Sequence, residues 1–234
     1  VSKSVRPLVG LVAVSALLAS GVLSGCGVAG TDFQPGVAAR VGDSTVSTDK
    51  VEQLVAGYCS AIEDQLRTNK TIVPQSYLSS VIAGELAMVE AARQLADQYA
   101  VEAGKDYDQK VAQLEGAVTA LKPDEQTAVV EVESAASYVS SVVQAVGTQQ
   151  LAAAGTAKPT SDAATAAGQK ALVAWLDDHD VRIDPKFGIA IKDGQAVPDD
   201  TSLSYAVGTT AKSGQATTPD QAYAGALPAA HRCG

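Results

Sequence analysis

From about residue 48 to residue 178, apolar side chains recur every three to four positions in five successive stretches. That spacing constrains the fold more than any other feature, because it leaves helices that bury one face against each other. The first stripe is Val51, Leu54, Val55, Tyr58, Cys59, Ile62 and Leu66, with Ser47 placed as its N-cap and Asp49 in the first turn. Pro74 suits the opening of a second helix, since its fixed φ and missing N–H cost nothing there. The second stripe runs Leu78, Val81, Ile82, Leu86, Val89 and Tyr99. Gly104 precedes a shorter third helix with Val111, Leu114, Val118 and Leu121. Lys122-Pro123-Asp124 ends it and starts a fourth, carrying Val129, Val132, Ala136, Val139, Val143 and Val146. Residues 147–160 read as a Gly/Ala/Thr linker. A fifth helix from Ser161 carries Ala171, Leu172, Trp175 and Leu176 and ends near Asp178-His179.

Strand patterning is confined to the flanks of this helical run. Val37–Val41, a Gly42-Asp43 turn and Ser44–Val46 read as a hairpin. Val181–Ile183 and Ile189–Ile191 alternate around Asp184-Pro185 like two short strands. Beyond Lys192 the chain is rich in Gly, Thr, Ala, Pro and Asp without periodicity, so 193–234 reads as a low-order tail, held only if Cys233 is bridged. The expected fold is mainly α: a body over 37–192 of about five helices, with a small sheet made by the N-terminal hairpin and a C-terminal strand.

Ahead of the body, Lys3 and Arg6 precede an apolar run from Leu8 to Leu23. This is the layout of a secretory signal, and it is short for a membrane span. Its end, Leu23-Ser24-Gly25-Cys26, resembles the lipobox of bacterial lipoproteins, in which the Cys sulfur receives a diacylglyceryl group and the preceding bond is cut. The resemblance implies a signal peptide over 1–25, lipidation at Cys26 and a tether over 26–36. The protein would then sit on the outer face of a cell membrane, with a tether spanning roughly 17 Å as a coil. Without Lys3 and Arg6 the chain keeps 15 basic and 26 acidic residues, a net charge of −11. So acidic a body is repelled by nucleic acid and by anionic lipid, which argues against either as a partner except through the anchor. With Cys26 assigned to lipid, Cys59 and Cys233 remain as a pair for an oxidising compartment. The alternative is a buried thiol at Cys59, on its apolar stripe, and a free thiol near the end.

The run Val37-Ala38-Ala39-Arg40-Val41-Gly42-Asp43-Ser44-Thr45-Val46-Ser47, and later Val181-Arg182-Ile183-Asp184-Pro185-Lys186-Phe187-Gly188, together resemble the N-terminal chaperone region of the SurA family and the actinobacterial lipoproteins that carry such a region. The resemblance covers about residues 37–191. It implies a distal strand returning to the opening hairpin and a scaffold that holds unfolded or extended segments of exported proteins. Relatives insert a parvulin-type isomerase domain between the helical body and the last helix. Here only 147–160 occupies that place, and His179 and His231 are the only histidines, so an isomerase of that type is not expected. Val51, Val55, Leu78 and Ile82 are candidates for the floor of a client groove, or for core. The competing function is an accessory envelope lipoprotein that docks one specific folded partner.

Other constellations are weaker. Ser47-Thr48-Asp49-Lys50, Ser161-Asp162-Ala163 and Lys212-Ser213-Gly214 approximate the three motifs of penicillin-binding acyltransferases. The second lacks its Asn, and the third falls in unpatterned chain. Asp177-Asp178-His179-Asp180 lacks the Gly and terminal Glu of a calcium loop and a second His for zinc. No cofactor, metal or catalytic residue is therefore assigned. Tyr58, Tyr77, Tyr99, Tyr107 and Tyr138 occupy helical positions suited to core, rim or groove.

Overall fold

The structure is a computed structural model that describes residues 34–199, 208–214 and 218–234. The signal segment, Cys26 and residues 27–33 of the tether lie outside the described residues. Strands β1 (Val37–Val41) and β2 (Ser44–Ser47) form a hairpin that leads into α1 (Thr48–Asn69). The short β3 (Val73–Pro74) precedes α2 (Gln75–Tyr99), α3 (Lys105–Ala117), α4 (Pro123–Ala153) and α5 (Ser161–Asp178). After them come β4 (Val181–Ile183), β5 (Ile189–Lys192), β6 (Gln195–Pro198), α6 (Thr209–Gly214), α7 (Gln221–Ala226) and β7 (Arg232–Cys233). The fold is mainly α with small antiparallel sheets. Among the described residues, no helix is long and apolar enough to cross a membrane.

The principal sheet has the order β2-β1-β4, so the chain after five helices returns to its first strand. Ala39 pairs with Val46 on one side and Ile183 on the other. Ala38, Ala39 and Val41 are fully buried because β1 is sandwiched in the plane and covered by α2. Asp184-Pro185-Lys186-Phe187-Gly188 then fastens the return. The Asp184 N–H donates to the Ala38 carbonyl at 2.8 Å. Phe187 enters the core, and Lys186 Nζ reaches Thr48 Oγ1 at the start of α1 at 3.2 Å.

Helix α2 is central and packs on α1, α4, α5 and the strands. Its buried face is rich in alanine: Ala83, Ala87, Ala91 and Ala92 are inaccessible to solvent, together with Leu95. Small side chains on that face let several elements approach one helix at once. The helix ends follow local chemistry. Ser47 Oγ caps α1 by accepting from the Lys50 N–H, and Thr160 Oγ1 caps α5 by accepting from the Ala163 N–H. Pro74 stands one residue before α2 rather than inside its first turn, and α3 stops at Ala117 with no buried residue of its own.

Two expectations need correction. First, 147–160 is not a linker throughout, because α4 runs to Ala153. Gly147 is a crossing point and not a breaker: a Cβ there would collide with the Ala164 carbonyl oxygen of α5, and one on Gly168 would collide with the Val143 carbonyl oxygen of α4. Second, the described parts of 193–234 are built. Asp193 and Gly194 both have positive φ, the geometry of a two-residue hairpin turn, and they fold β6 onto β5. That hairpin sits on α2 at Gly84, where a Cβ would lie 2.8 Å from Ala196 Cβ. It is a sheet separate from β2-β1-β4, so Ile189–Ile191 does not extend the principal sheet. Farther on, Gln221 brackets the Ile72 backbone, accepting from its N–H at 2.9 Å and donating to its carbonyl at 3.1 Å. β7 pairs with β3, and Cys233 is joined to Cys59 with a Cα–Cα distance of 5.5 Å. In the chain-entropy description, closing a loop this long stabilises by up to about 5 kcal/mol.

The α4–α5 crossing generates a test. Alanine is favoured over glycine inside a helix by about 1 kcal/mol, whereas overpacking against backbone costs about 3 kcal/mol. Gly168→Ala is therefore expected to lower the unfolding free energy by about 2 kcal/mol in urea denaturation; an unchanged or raised midpoint would contradict the close crossing.

Candidate functional site

A groove of about 520 Å³ lies between β2, the first turn of α1, and helices α2, α3 and α4. Val46, Leu86, Val89 and Ala135 supply its apolar lining, with Tyr107 and Tyr138 at one end. Those two rings meet edge to face, with centroids 5.2 Å apart. Burial raises the Tyr138 phenol above its ordinary titration range, so it stays neutral at any physiological pH. Two ion pairs stand among the lining groups. Lys50 Nζ lies 2.5 Å from Glu131 Oε2, and Arg93 lies 2.5 Å from Glu90 Oε2.

β2 borders this groove and is the outer strand of its sheet, pairing only with β1 among the described residues. Val41 and Ser44 flank the two-residue turn, and Thr45 is opposite Arg40. The alternation of an antiparallel ladder therefore directs the Thr45 N–H and carbonyl to the open edge. The site thus combines unpaired strand backbone with a neighbouring trough that is apolar at its base and charged at its rim.

The interface of α1 with α4 is polar in a regular way. Three α4 carboxylates each take a donor from α1: Glu131 from Lys50, Glu133 from the Tyr58 hydroxyl, and Glu125 from Ser60 Oγ at 2.7 Å. Glu125 also accepts from Lys122 Nζ at 2.8 Å and from the Lys122 backbone N–H at 3.0 Å, closing the start of α4. These hydrogen bonds, the Lys122 side chain foremost, hold its carboxyl down at about 2. Glu85 of α2 has no such partners: its Oε2 is buried without a hydrogen bond. Burial first, and Glu133 second, push the Glu85 carboxyl up to about 7. Tyr58 is raised above its ordinary range by burial, by its bond to Glu133 and by the charges of Glu133 and Glu85.

The sequence candidates fall differently. Val51, Val55, Leu78 and Ile82 are 0, 6, 8 and 1% exposed and belong to the core, so they do not form a groove floor. A stripe marks the face a helix buries, while a groove is lined by residues at the edge of that stripe. Leu86 and Val89 are such edge positions. Lys50 Nζ is turned to Glu131 while Ser47 accepts from the Lys50 backbone, and Ser161 accepts from Gln144 Nε2 at 2.6 Å. Ser47 and Ser161 therefore act as a cap and a helix-bridging hydroxyl. His179 stacks on Trp175 at 4.0 Å, and its Nδ1 lies 2.7 Å from the Trp175 carbonyl oxygen. Asp180 accepts from Arg182 at 2.6 Å. Among the described residues no group of three or more metal-ligating side chains comes together. Tyr99 accepts from Gln150, and Tyr77 is exposed.

A second cavity of about 640 Å³ between the start of α3, α4 and α5 is lined largely by Ser137, Ser140, Ser141, Gln144, Thr165 and Gln169. Ser141 Oγ accepts from the Gly104 N–H at 2.6 Å there, which ties α3 to α4. No family model matches the chain, and no curated protein or solved structure is significantly similar to it.

Glu125 sets an acid-sensitive contact. Its carboxyl is lower in the folded chain than in the unfolded one, so its stabilisation is complete above about pH 4.5 and is lost as pH falls towards 2. Glu125→Gln should lower stability at neutral pH and flatten the acid limb of the stability curve below about pH 4.5. An unaltered acid limb in denaturation profiles would show that another carboxylate controls it.

Proposed function

We propose that this protein is a lipid-anchored, extracytoplasmic, chaperone-like scaffold that binds extended or unfolded segments of exported proteins and carries no isomerase activity. The observation that carries the reading is the open edge of β2 beside the groove lined by Leu86, Val89, Tyr107 and Tyr138. An extended peptide can pair its backbone with Thr45 while alternate side chains enter the groove, which gives affinity without demanding one sequence. Tyrosines suit that role because they offer apolar area and a polar tip with few rotatable bonds to immobilise. The return of β4 to β1, and the seating of Asp184–Gly188 against the opening hairpin, support the likeness to SurA-type N-terminal regions. The lipobox-like segment supports the location, since a lipid at Cys26 would hold the groove near the surface where exported chains emerge.

Binding of this type predicts suppression of aggregation of an unrelated, chemically unfolded substrate at near-stoichiometric ratio. Thr45→Pro, which removes the outward N–H and adds bulk to the edge, is expected to weaken that suppression several-fold while leaving the folded spectrum intact. No suppression by the unaltered protein, with capture of a single folded envelope protein, would favour the accessory-lipoprotein reading instead. The anchor has its own test. Cys26→Ser should move the protein from the membrane fraction into the medium, and retention at the membrane would count against lipidation.

A further inference from the structure

Among the described residues, Glu85 is the one place where a side-chain oxygen is kept away from both solvent and donors. It projects from α2 at the junction with α1 and α4. Its titratable neighbours there are Glu133 from α4, whose charge acts on it, and Tyr58 from α1, on which its own charge acts, and the Tyr58 hydroxyl is already donated to Glu133. Counter-charge is scarce by composition: α4 contains no Lys or Arg, α2 only Arg93, and α1 only Lys50 and Arg67. Each of those three is engaged elsewhere, Arg93 by Glu90, Lys50 by Glu131, and Arg67 by Glu63 and Asp64. From the segments that cover α2 on its other sides, Lys186 reaches Thr48, Lys192 pairs with Asp199, Arg182 with Asp180, and Arg232 donates to the Gly225 carbonyl; neither these nor Arg40 of β1 and Lys170 of α5 lower the Glu85 carboxyl. An ionised Glu85 would therefore be a half-buried charge with no cation beside it and one oxygen shut off from solvent, next to a second carboxylate, whereas a protonated one is tolerated.

We propose that Glu85 is a proton-operated catch at the junction of α1, α2 and α4: neutral, it lets the three helices close; ionised, it loosens them. The consequence reaches the groove, because Leu86 follows Glu85 on α2 and Ser134 follows Glu133 on α4, and both line it. The inference does not depend on what the groove binds. Its sign follows from linkage. The folded chain holds the Glu85 proton more tightly than the unfolded chain, so the Glu85 contribution to stability is complete below about pH 4.5, falls as pH rises towards 7 and levels off above it.

The test compares urea denaturation of the full chain and of Glu85→Gln at about pH 5.5 and about pH 8.5. Across that interval the unfolding constant of the unaltered protein should rise about 30-fold more than that of Glu85→Gln. Infrared difference spectra give an independent reading. Near pH 6 the unaltered protein should show a protonated-carboxyl C=O band that Glu85→Gln lacks, and Glu133→Gln should shift its titration to lower pH by removing the like charge. Equal pH dependence in the two proteins, or no protonated-carboxyl band near pH 6, overturns the proposal. The Glu133→Gln arm keeps it testable if Glu85→Gln does not fold.

Discussion

The pairing of β4 with β1 is the constraint on which the remaining architecture rests. β1 occupies the middle of the sheet with fully buried Ala38, Ala39 and Val41, so its backbone groups need partners on both sides. β2 supplies one side locally, through a two-residue turn. The other side comes from residues more than 130 positions later, and only a path that crosses α1 through α5 and turns back can deliver them. The helices are therefore not an independent bundle with a sheet attached. They are the spacer that brings Val181–Ile183 home, and α2 fills the volume beneath the strands with alanine so that spacer and sheet share one core.

Two of the long-helix interfaces made by α4 have opposite character. Against α5, Gly147 and Gly168 bring backbone onto backbone, which leaves no room for adjustment. Against α1, the contact at Gly57 and Ala128 is also close, but Lys50, Tyr58 and Ser60 meet Glu131, Glu133 and Glu125 around it. Hydrogen-bonded pairs that are part-exposed can exchange their partners for water at modest cost, whereas interlocked backbones cannot. The groove beside β2 is bounded on its α4 side by the adjustable seam.

Much of this was legible in residues, and the parts that were not have identifiable causes. Four of the apolar stripes located the long helices α1, α2, α4 and α5, because burial on one face imposes its period directly, whereas the third located α3, which buries no residue of its own. Ser47 and Pro123 marked starts, one through a local hydrogen bond and the other through a fixed φ. Gly147 misled because a glycine in a helical pattern signals a breaker locally, and its use as a crossing point depends on Gly168 arriving from another helix. Asp193-Gly194 did carry a hairpin signal between Ile189–Ile191 and Ala196-Val197, but it lay in a stretch whose composition resembles a tail. The groove could not be read from periodicity, since it is assembled from Val46, Leu86, Tyr107 and Tyr138 on four elements. Glu85 was visible in principle: it takes the second position of the run Ile82, Glu85, Leu86, Val89, where a charge breaks an otherwise apolar face.

That interruption also accounts for the chemistry of the site. A helix face that must pack against two neighbours normally excludes carboxylates, and where one is kept it is normally matched by a cation. Here α4 offers none, and the cations of α1 and α2 are consumed by carboxylates near the groove and at the end of α1. The acidic excess of the chain is thus more than a surface property. It removes the spare positive charge that would have neutralised Glu85 and leaves a proton as its available counter-charge. The same excess places Glu90 and Glu131 beside Arg93 and Lys50 in the groove, so those cations are locally balanced and do not present a bare basic patch. A segment entering along β2 would then be selected by backbone pairing and apolar fit more than by its own charge, which is the selectivity expected of a surface that must accept many sequences.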